Sequence, residues 1–241
     1  MAANARVYNL VITPSLAFEN ITSTYNVLEF CRLSGIKRII FASSREVYGN
    51  TDGIQRHEDQ MHIKHCESTY TASKLSGESM IKAYHRCYGI QSIIVRFSNV
   101  YGMYDASDRI IPLFVRKSLR NEDLTIYGEN KLLDFTYIDD TVTGIGNCID
   151  RFDQVTGMTF NIASGQGTKI TDLAMLIQEC MGTSSRIVLL DNRTGEVCQF
   201  VADLSAARKK LAYHPQYSIR TGLAKTITWY KHYYDKRQSP I

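Results

Sequence analysis

Tyr70-Thr71-Ala72-Ser73-Lys74 decides how the chain is read. On a helix, positions i and i+4 lie one above the other on the same face, so a phenol and an ammonium at this spacing can serve one site. Upstream, the apolar run Ile39-Ile40-Phe41 ends in Ala42-Ser43-Ser44, and Arg45-Glu46-Val47-Tyr48-Gly49 follows. That pattern reads as a buried strand opening into a loop, with a serine at its end. A free tyrosine, with a pKa of about 10, is a poor base at neutral pH. An ammonium ~5 Å away, at an effective dielectric of ~20, stabilises the phenolate by about 3 kcal/mol. That is roughly two pKa units. A second cation would bring the phenol close to neutrality, ready to take a proton from an alcohol.

Working outward, the Tyr70 helix is expected to run to Tyr88 and stop at Gly89. Ile93 to Phe97 reads as the next buried strand, opening into Ser98-Asn99-Val100-Tyr101-Gly102. On the other side, Ser15 is expected to cap a helix to Ser34, with Gly35 as its stop. Further along, Pro112 sits near the first turn of a helix to Arg120, and Leu124 to Gly128 reads as a strand. The strand Phe135-Thr136-Tyr137-Ile138 is expected to lead into a helix to Phe152, capped by Asp139 or Asp140. Thr159 to Ala163 is a short strand, and Ser164 to Lys169 is a turn that lacks the G-x-x-x-x-G-K spacing of a phosphate loop. A helix starts near Thr171, Ile187 to Leu190 is a strand, and Gly222 to Tyr234 is the final helix. Strands thus alternate with helices along the chain.

The totals are ordinary for a globular protein. The chain has 241 residues, 44% hydrophobic and 22% charged, enough for one large α/β domain or one with an appendage. A net charge of +4 is spread without a dense Lys/Arg run, which argues against a nucleic-acid partner. Arg116, Lys117 and Arg120 read as a solvated helix face. Six scattered cysteines without a C-x-x-C suggest core thiols in a reducing compartment. His62, His65 and Cys66 read as a solvated loop, not a metal site. There is no leader pattern and no apolar run of 18 residues, so no membrane partner is expected and the chain is read as cytoplasmic.

A serine at a strand end followed by Tyr-x-x-x-Lys resembles the extended short-chain dehydrogenase/reductase family. Within it the chain is similar to the NAD-dependent nucleotide-sugar epimerases and dehydratases, of UDP-glucose 4-epimerase type. Asn99-Val100-Tyr101-Gly102, Phe135 to Asp140 and Arg193-Thr194-Gly195-Glu196 match further motifs of that family. The resemblance implies an N-terminally truncated, Rossmann-type doubly wound parallel sheet with a smaller C-terminal substrate-binding α/β subdomain. Residues 1–101 and 139–164 would form a partial NAD-binding domain, and 102–138 and 165–241 the nucleotide-sugar-binding subdomain. It implies NAD as cofactor, a UDP-sugar as substrate and no metal. Ser44, Tyr70 and Lys74 would be catalytic, with Glu46 as a further base. Ala2, Ala3, Asn20, Ser43, Tyr70, Lys74 and Phe97 would face the cofactor, and Ser44, Asn99, Tyr127, Arg193 and Glu196 the substrate. The family commonly dimerises through two helices per subunit, here about Ser15–Ser34 and Ser68–Tyr88, which implies a homodimer.

Three departures bear on function. No G-x-G-x-x-G or G-x-x-G-x-x-G occurs in the 241 residues. The recognisable pattern starts at about the family's fourth strand, so two βα units, roughly 60–70 residues, are expected to be missing or supplied by another polypeptide. Alone, the chain is expected to bind NAD poorly and to expose the face those units would cover. Leu133 stands where the family has an arginine for the nucleotide, with Lys131 two residues away. Arg45-Glu46 stands where the 4,6-dehydratases carry Asp-Glu, and an arginine cannot act as the acid. The expected reaction is therefore 4-epimerisation of a nucleotide sugar such as UDP-glucose or UDP-glucuronate, with dehydration or decarboxylation as the alternative. A reading of another class is a non-catalytic remnant or interaction subunit.

Overall fold

The computed structural model describes residues 3–51, 53–105 and 107–238. Ala2, one of the expected cofactor contacts, lies outside them. A short helix α1 (Val7–Ile12) precedes the long helix α2 (Ser15–Leu33). Pro14, not Ser15, occupies the capping position of α2, and Ser15 is its first helical residue. Strand β1 (Arg38–Ser44) runs into a turn of 3₁₀ helix, Arg45–Tyr48, and the short β2 (Gln55–Arg56) follows. Helix α3 (Thr69–Tyr88) starts where the Ser68 hydroxyl accepts from the Thr71 N–H at 3.1 Å. It ends at Gly89, whose φ of +67° is the left-handed stop expected there.

The rest follows in order: β3 (Gln91–Phe97), β4 (Asn99–Tyr101), α4 (Ile110–Leu119), β5 (Leu124–Tyr127), β6 (Leu132–Tyr137), α5 (Ile138–Asp150) and α6 (Phe152–Val155). After these come β7 (Thr159–Ile162), β8 (Gly167–Lys169), α7 (Ile170–Met181), β9 (Ile187–Leu190), β10 (Gln199–Ala202), α8 (Ser205–Leu211) and α9 (Ile219–Gln238). Neither Asp139 nor Asp140 caps α5, because both already lie in its first turn and Tyr137 precedes it. Asp140 is used elsewhere: its carboxylate accepts from the Gln216 N–H at 2.8 Å and the Tyr217 N–H at 3.1 Å, tying the run before α9 to α5. The turn expected at Ser164 to Lys169 contains β8, paired antiparallel to β6.

Three parallel strands, in the order β1-β3-β7, form the sheet that positions the chemistry. β1 and β3 run in register from Arg38 beside Gln91 to Ser44 beside Phe97, so the two strands end at the same level. Among the described residues β1 pairs on one side only. A second sheet, β2-β10-β6-β4, carries β8 on β6, and β5 pairs with β9. β2 and β4 lie in the first part of the chain yet belong to this second sheet, so the two parts interleave. One apolar core runs through both, with Ile93, Val95, Phe160, Ile162, Tyr137 and Tyr213 almost fully buried. The expected α/β class on parallel sheets is what the chain forms.

The hub between the sheets is Asp134 on β6, fully buried. Its carboxylate accepts from the Ser164 N–H at 2.9 Å, the Ser164 hydroxyl at 2.7 Å and the Gly165 N–H at 2.9 Å. A buried carboxylate is tolerated when its lone pairs are filled this way. Burial still pushes its pKa above the usual carboxylate value, against those hydrogen bonds.

Candidate active site

Helix α3 lies on β1 at Gly77, where an added Cβ would stand 2.4 Å from the Phe41 ring. This close approach, open only to glycine, sets one face of α3 over the end of β1. Tyr70 and Lys74 occupy that face, as their spacing requires. The Ser44 hydroxyl accepts from the Glu46 N–H at 3.3 Å, which leaves its own proton to give. It faces the Tyr70 phenol and favours the ionised form. Lys74 Nζ lies 5.8 Å from the centre of the Tyr70 ring and donates to the Ala42 carbonyl at 3.0 Å.

The electrostatics differ from the simple sequence argument. Tyr70 is 6% exposed, and burial raises its pKa above the ordinary value. Ser44 opposes that rise, Glu46 adds to it, and the cations Arg109 and Arg45 oppose it. Lys74, expected to acidify the phenol, is turned onto Ala42, and burial lowers its own pKa while Glu78 resists. In this arrangement burial outweighs the ammonium. Acidifying the phenol therefore needs Lys74 to move towards it or a further cation to enter beside it.

Ser44, Tyr70 and Lys74 open into one cleft of about 590 Å³. Ala3, Ser43 and Phe97, expected to face the cofactor, line it, as do Asn99, Tyr127, Arg193 and Glu196, expected to face the substrate. Asn99 is fixed by donating to the Asp134 carbonyl at 2.9 Å. The Arg193 guanidinium is clamped between two rings, 3.6 Å from the centre of Tyr127 and 4.5 Å from that of Tyr8. Glu196 is paired with Lys131, the cation noted two residues before Leu133. Asn20 does not line the cleft. Its side chain brackets Asn4, accepting from the Asn4 N–H at 2.8 Å and donating to the Asn4 carbonyl at 2.9 Å, so it holds the backbone next to Ala3.

Glu46 also lines the cleft, but it is engaged: Arg45 Nη2 stands 2.8 Å from its Oε1, and both side chains are under a tenth exposed. Burial pushes the Glu46 carboxyl above its ordinary value, with Arg45 opposing. Sequence reasoning missed Arg6, Tyr8, Asp108 and Arg109, which also line the cleft. Arg6 Nη1 and Arg116 Nη2 meet on Asp108, at 3.1 and 2.6 Å, which joins the segment before α1 to the loop before α4. Their separation of about a hundred residues leaves no local signal, and α1 is too short for a periodic one. Among the described residues no group of His, Cys, Asp or Glu could hold a metal, and no helix is long and apolar enough to cross a membrane.

The model of the NAD dependent epimerase/dehydratase family matches residues 1–163. An uncharacterised protein of Methanocaldococcus jannaschii is 33% identical over 88% of this chain and 64% of its own length. UDP-glucuronate 4-epimerase 3 of Arabidopsis thaliana is 30% identical over 98% of this chain and 59% of its own length. The chain thus spans about two thirds or less of these relatives. The crystal structure of UDP-glucuronic acid 4-epimerase from Bacillus cereus, in complex with UDP-glucuronic acid and NAD, superposes with a TM-score of 0.84. The two are 31% identical, over 89% of this chain and 68% of that one.

Proposed function

Because the chain belongs to the NAD-dependent epimerase/dehydratase family, we propose that it serves the 4-epimerisation of a nucleotide sugar, with a UDP-sugar as substrate and NAD as cofactor. The observation that carries this reading is that Ser44, Tyr70, Lys74, Asn99 and the clamped Arg193 share one cleft. The residues present fit the nicotinamide end of the cofactor. Small Ala3 and Ala42 line the same cleft as Tyr70, and Lys74 makes one hydrogen bond among the described residues, leaving two N–H donors for ribose hydroxyls. NAD, when bound, supplies a hydride acceptor that can return the hydride to either face of the sugar. Tyr70 takes the proton of the C4 hydroxyl and later gives it back; Ser44 donates to the same oxygen and orients it. Arg193 grips the diphosphate through a charge-assisted fork, and Glu196 takes a ribose hydroxyl.

Elimination or decarboxylation is the second reading, favoured by the position of Glu46 in the cleft. The Arg45 pair weighs against it, because it holds Glu46 away from service as a free base. The dimer is proposed to form through α2 and α3. Phe18, Tyr25, Phe30 and Leu33 on α2 are 70, 49, 62 and 73% exposed, an apolar surface of the kind that marks an interface.

The test supplies a glycine-rich N-terminal segment in trans, with NAD and either UDP-glucose or UDP-glucuronate, and follows the C4 epimer by proton NMR. Turnover by the wild type that vanishes in Tyr70→Phe supports the reading. Turnover that survives Tyr70→Phe overturns it, and nucleotide-sugar binding with no turnover in any arm points to the non-catalytic subunit.

A further inference from the structure

Tyr70 and Lys74 have a third member on their face of α3. Glu78 sits one turn beyond Lys74, at i, i+4, i+8, and is 1% exposed. Its carboxylate is held by groups from two strands. The Ser43 hydroxyl on β1 donates to Oε1 at 2.5 Å. Arg96 on β3 donates from Nε to Oε1 at 2.9 Å and from Nη2 to Oε2 at 2.8 Å, a bidentate fork. Arg96 is itself fixed, donating from Nη1 to the Tyr48 hydroxyl at 3.0 Å and to the Glu58 carbonyl at 2.7 Å. Tyr48 in turn donates to Asn161 at 2.7 Å. The network is more than local packing, because Ser43 adjoins Ser44 and Glu78 adjoins Lys74 on the helix face.

We propose that Glu78 is a positioning residue for the Tyr70–Lys74 pair: its carboxylate keeps the buried Lys74 amine protonated, while Arg96 and Ser43 hold that carboxylate away from Lys74. The inference rests on the reading of Tyr70 and Lys74 as the proton-transfer pair. Two opposing needs explain the arrangement. An amine buried beside Phe41 and Tyr70 tends to lose its proton, and a nearby negative charge counters that beyond the one hydrogen bond to Ala42. A free carboxylate one turn away would form a direct ion pair with Lys74 and draw the ammonium from the phenol. The Arg96 fork satisfies both oxygens of Glu78, so the charge is present and the capture is not. Lys74 Nζ accordingly rests on the Ala42 carbonyl, with no ion pair to Glu78.

The other groups facing this pair do not replace Glu78. Arg45 and Glu46 after β1 form their own ion pair. Arg109, before α4, acts on the Tyr70 phenol. Helices α1 and α2 present uncharged groups at this level: Leu10, whose carbonyl accepts from Thr69, and Asn20, which donates to Ser73. Glu78 is the acidic group that acts on Lys74.

The test reads the amine directly and needs neither cofactor nor turnover. Lysine labelled with ¹³C at Cε is titrated by NMR in the 241-residue chain, with the Lys74 signal assigned by Lys74→Arg. Glu78→Gln, close to isosteric, is expected to lower the Lys74 pKa by about one unit, a roughly tenfold shift in its protonation. Arg96→Gln frees Glu78 to capture Lys74 and is expected to raise the pKa by a similar amount. If the single variants do not fold, the double variant Glu78→Gln, Arg96→Met removes both charges from the core and is expected to lower the pKa as Glu78→Gln does. Opposite movements in the two single variants, or a fall in the double one, support the proposal. A Lys74 pKa unmoved by Glu78→Gln, movement in the same direction in both single variants, or no fall in the double one overturns it. The reading it rests on is judged separately, by turnover in Tyr70→Phe.

Discussion

Replacing Arg193 by alanine should weaken the binding of UDP by about ten- to a hundredfold. The guanidinium lies between Tyr127 and Tyr8, its carbon 3.6 and 4.5 Å from the two ring centres. Among the described residues its N–H donors make no hydrogen bond, so the rings fix the fork while leaving its donors for a ligand in the cleft. A hydrogen bond to a charged group contributes about 1.5–3 kcal/mol. At about 1.4 kcal/mol per decade that gives the stated range. Arg193→Lys keeps the charge but loses the planar fork and its stacking, so roughly half of the free energy should be lost. Titration calorimetry with UDP measures this without cofactor, because the groups proposed to hold the nucleotide lie in the described chain. Near-ultraviolet circular dichroism of the tyrosines checks that the clamp is otherwise intact. If Arg193→Ala binds UDP within twofold of the wild type, the diphosphate is held elsewhere and the reasoning fails.

Three further outcomes are expected. Gly77→Ala puts a Cβ 2.4 Å from the Phe41 ring; the overpacking should cost about 1–3 kcal/mol, seen as a lower Tm, and an unchanged Tm would show that α3 is not pinned there. Burial holds the folded-state pKa of Glu46 above the ordinary 4.5, so folding favours its neutral form and stability falls as pH rises from 4.5 through that folded value. Glu46→Gln should therefore gain on the wild type between pH 4 and pH 8 in urea unfolding, whereas a constant difference contradicts the assignment. Phe30→Lys on the exposed side of α2 should shift a dimer to monomer in sedimentation velocity, and an unchanged dimer places the interface elsewhere.

The helix carrying Tyr70 and Lys74 was legible because its signals are local: Ser68 at one end, Gly89 at the other, and a four-residue spacing between the two groups. The strand ends at Ser44 and Phe97 were legible as apolar runs meeting small or polar residues, and the observed register brings them level. The Arg193 motif was also found from sequence, yet its clamp was not, since Tyr8 comes from a six-residue helix with no periodic signal. Asp139 and Asp140 look like caps in isolation, but both fall inside the first turn of α5, and the run before α9 claims Asp140 for two backbone N–H groups. Lys74 shows the same limit. Its spacing from Tyr70 is a property of the helix, whereas its bond to Ala42 and the screening of Glu78 by Arg96 depend on strands packed beneath it.

The most direct measurement is a crystal structure of the chain with a bound UDP-sugar, solved with NAD present. The C4 oxygen is expected within about 2.6–3.2 Å of both the Tyr70 and Ser44 hydroxyls, with the diphosphate on Arg193. A sugar seated in the same cleft with C4 turned away and out of reach of Tyr70 would contradict it.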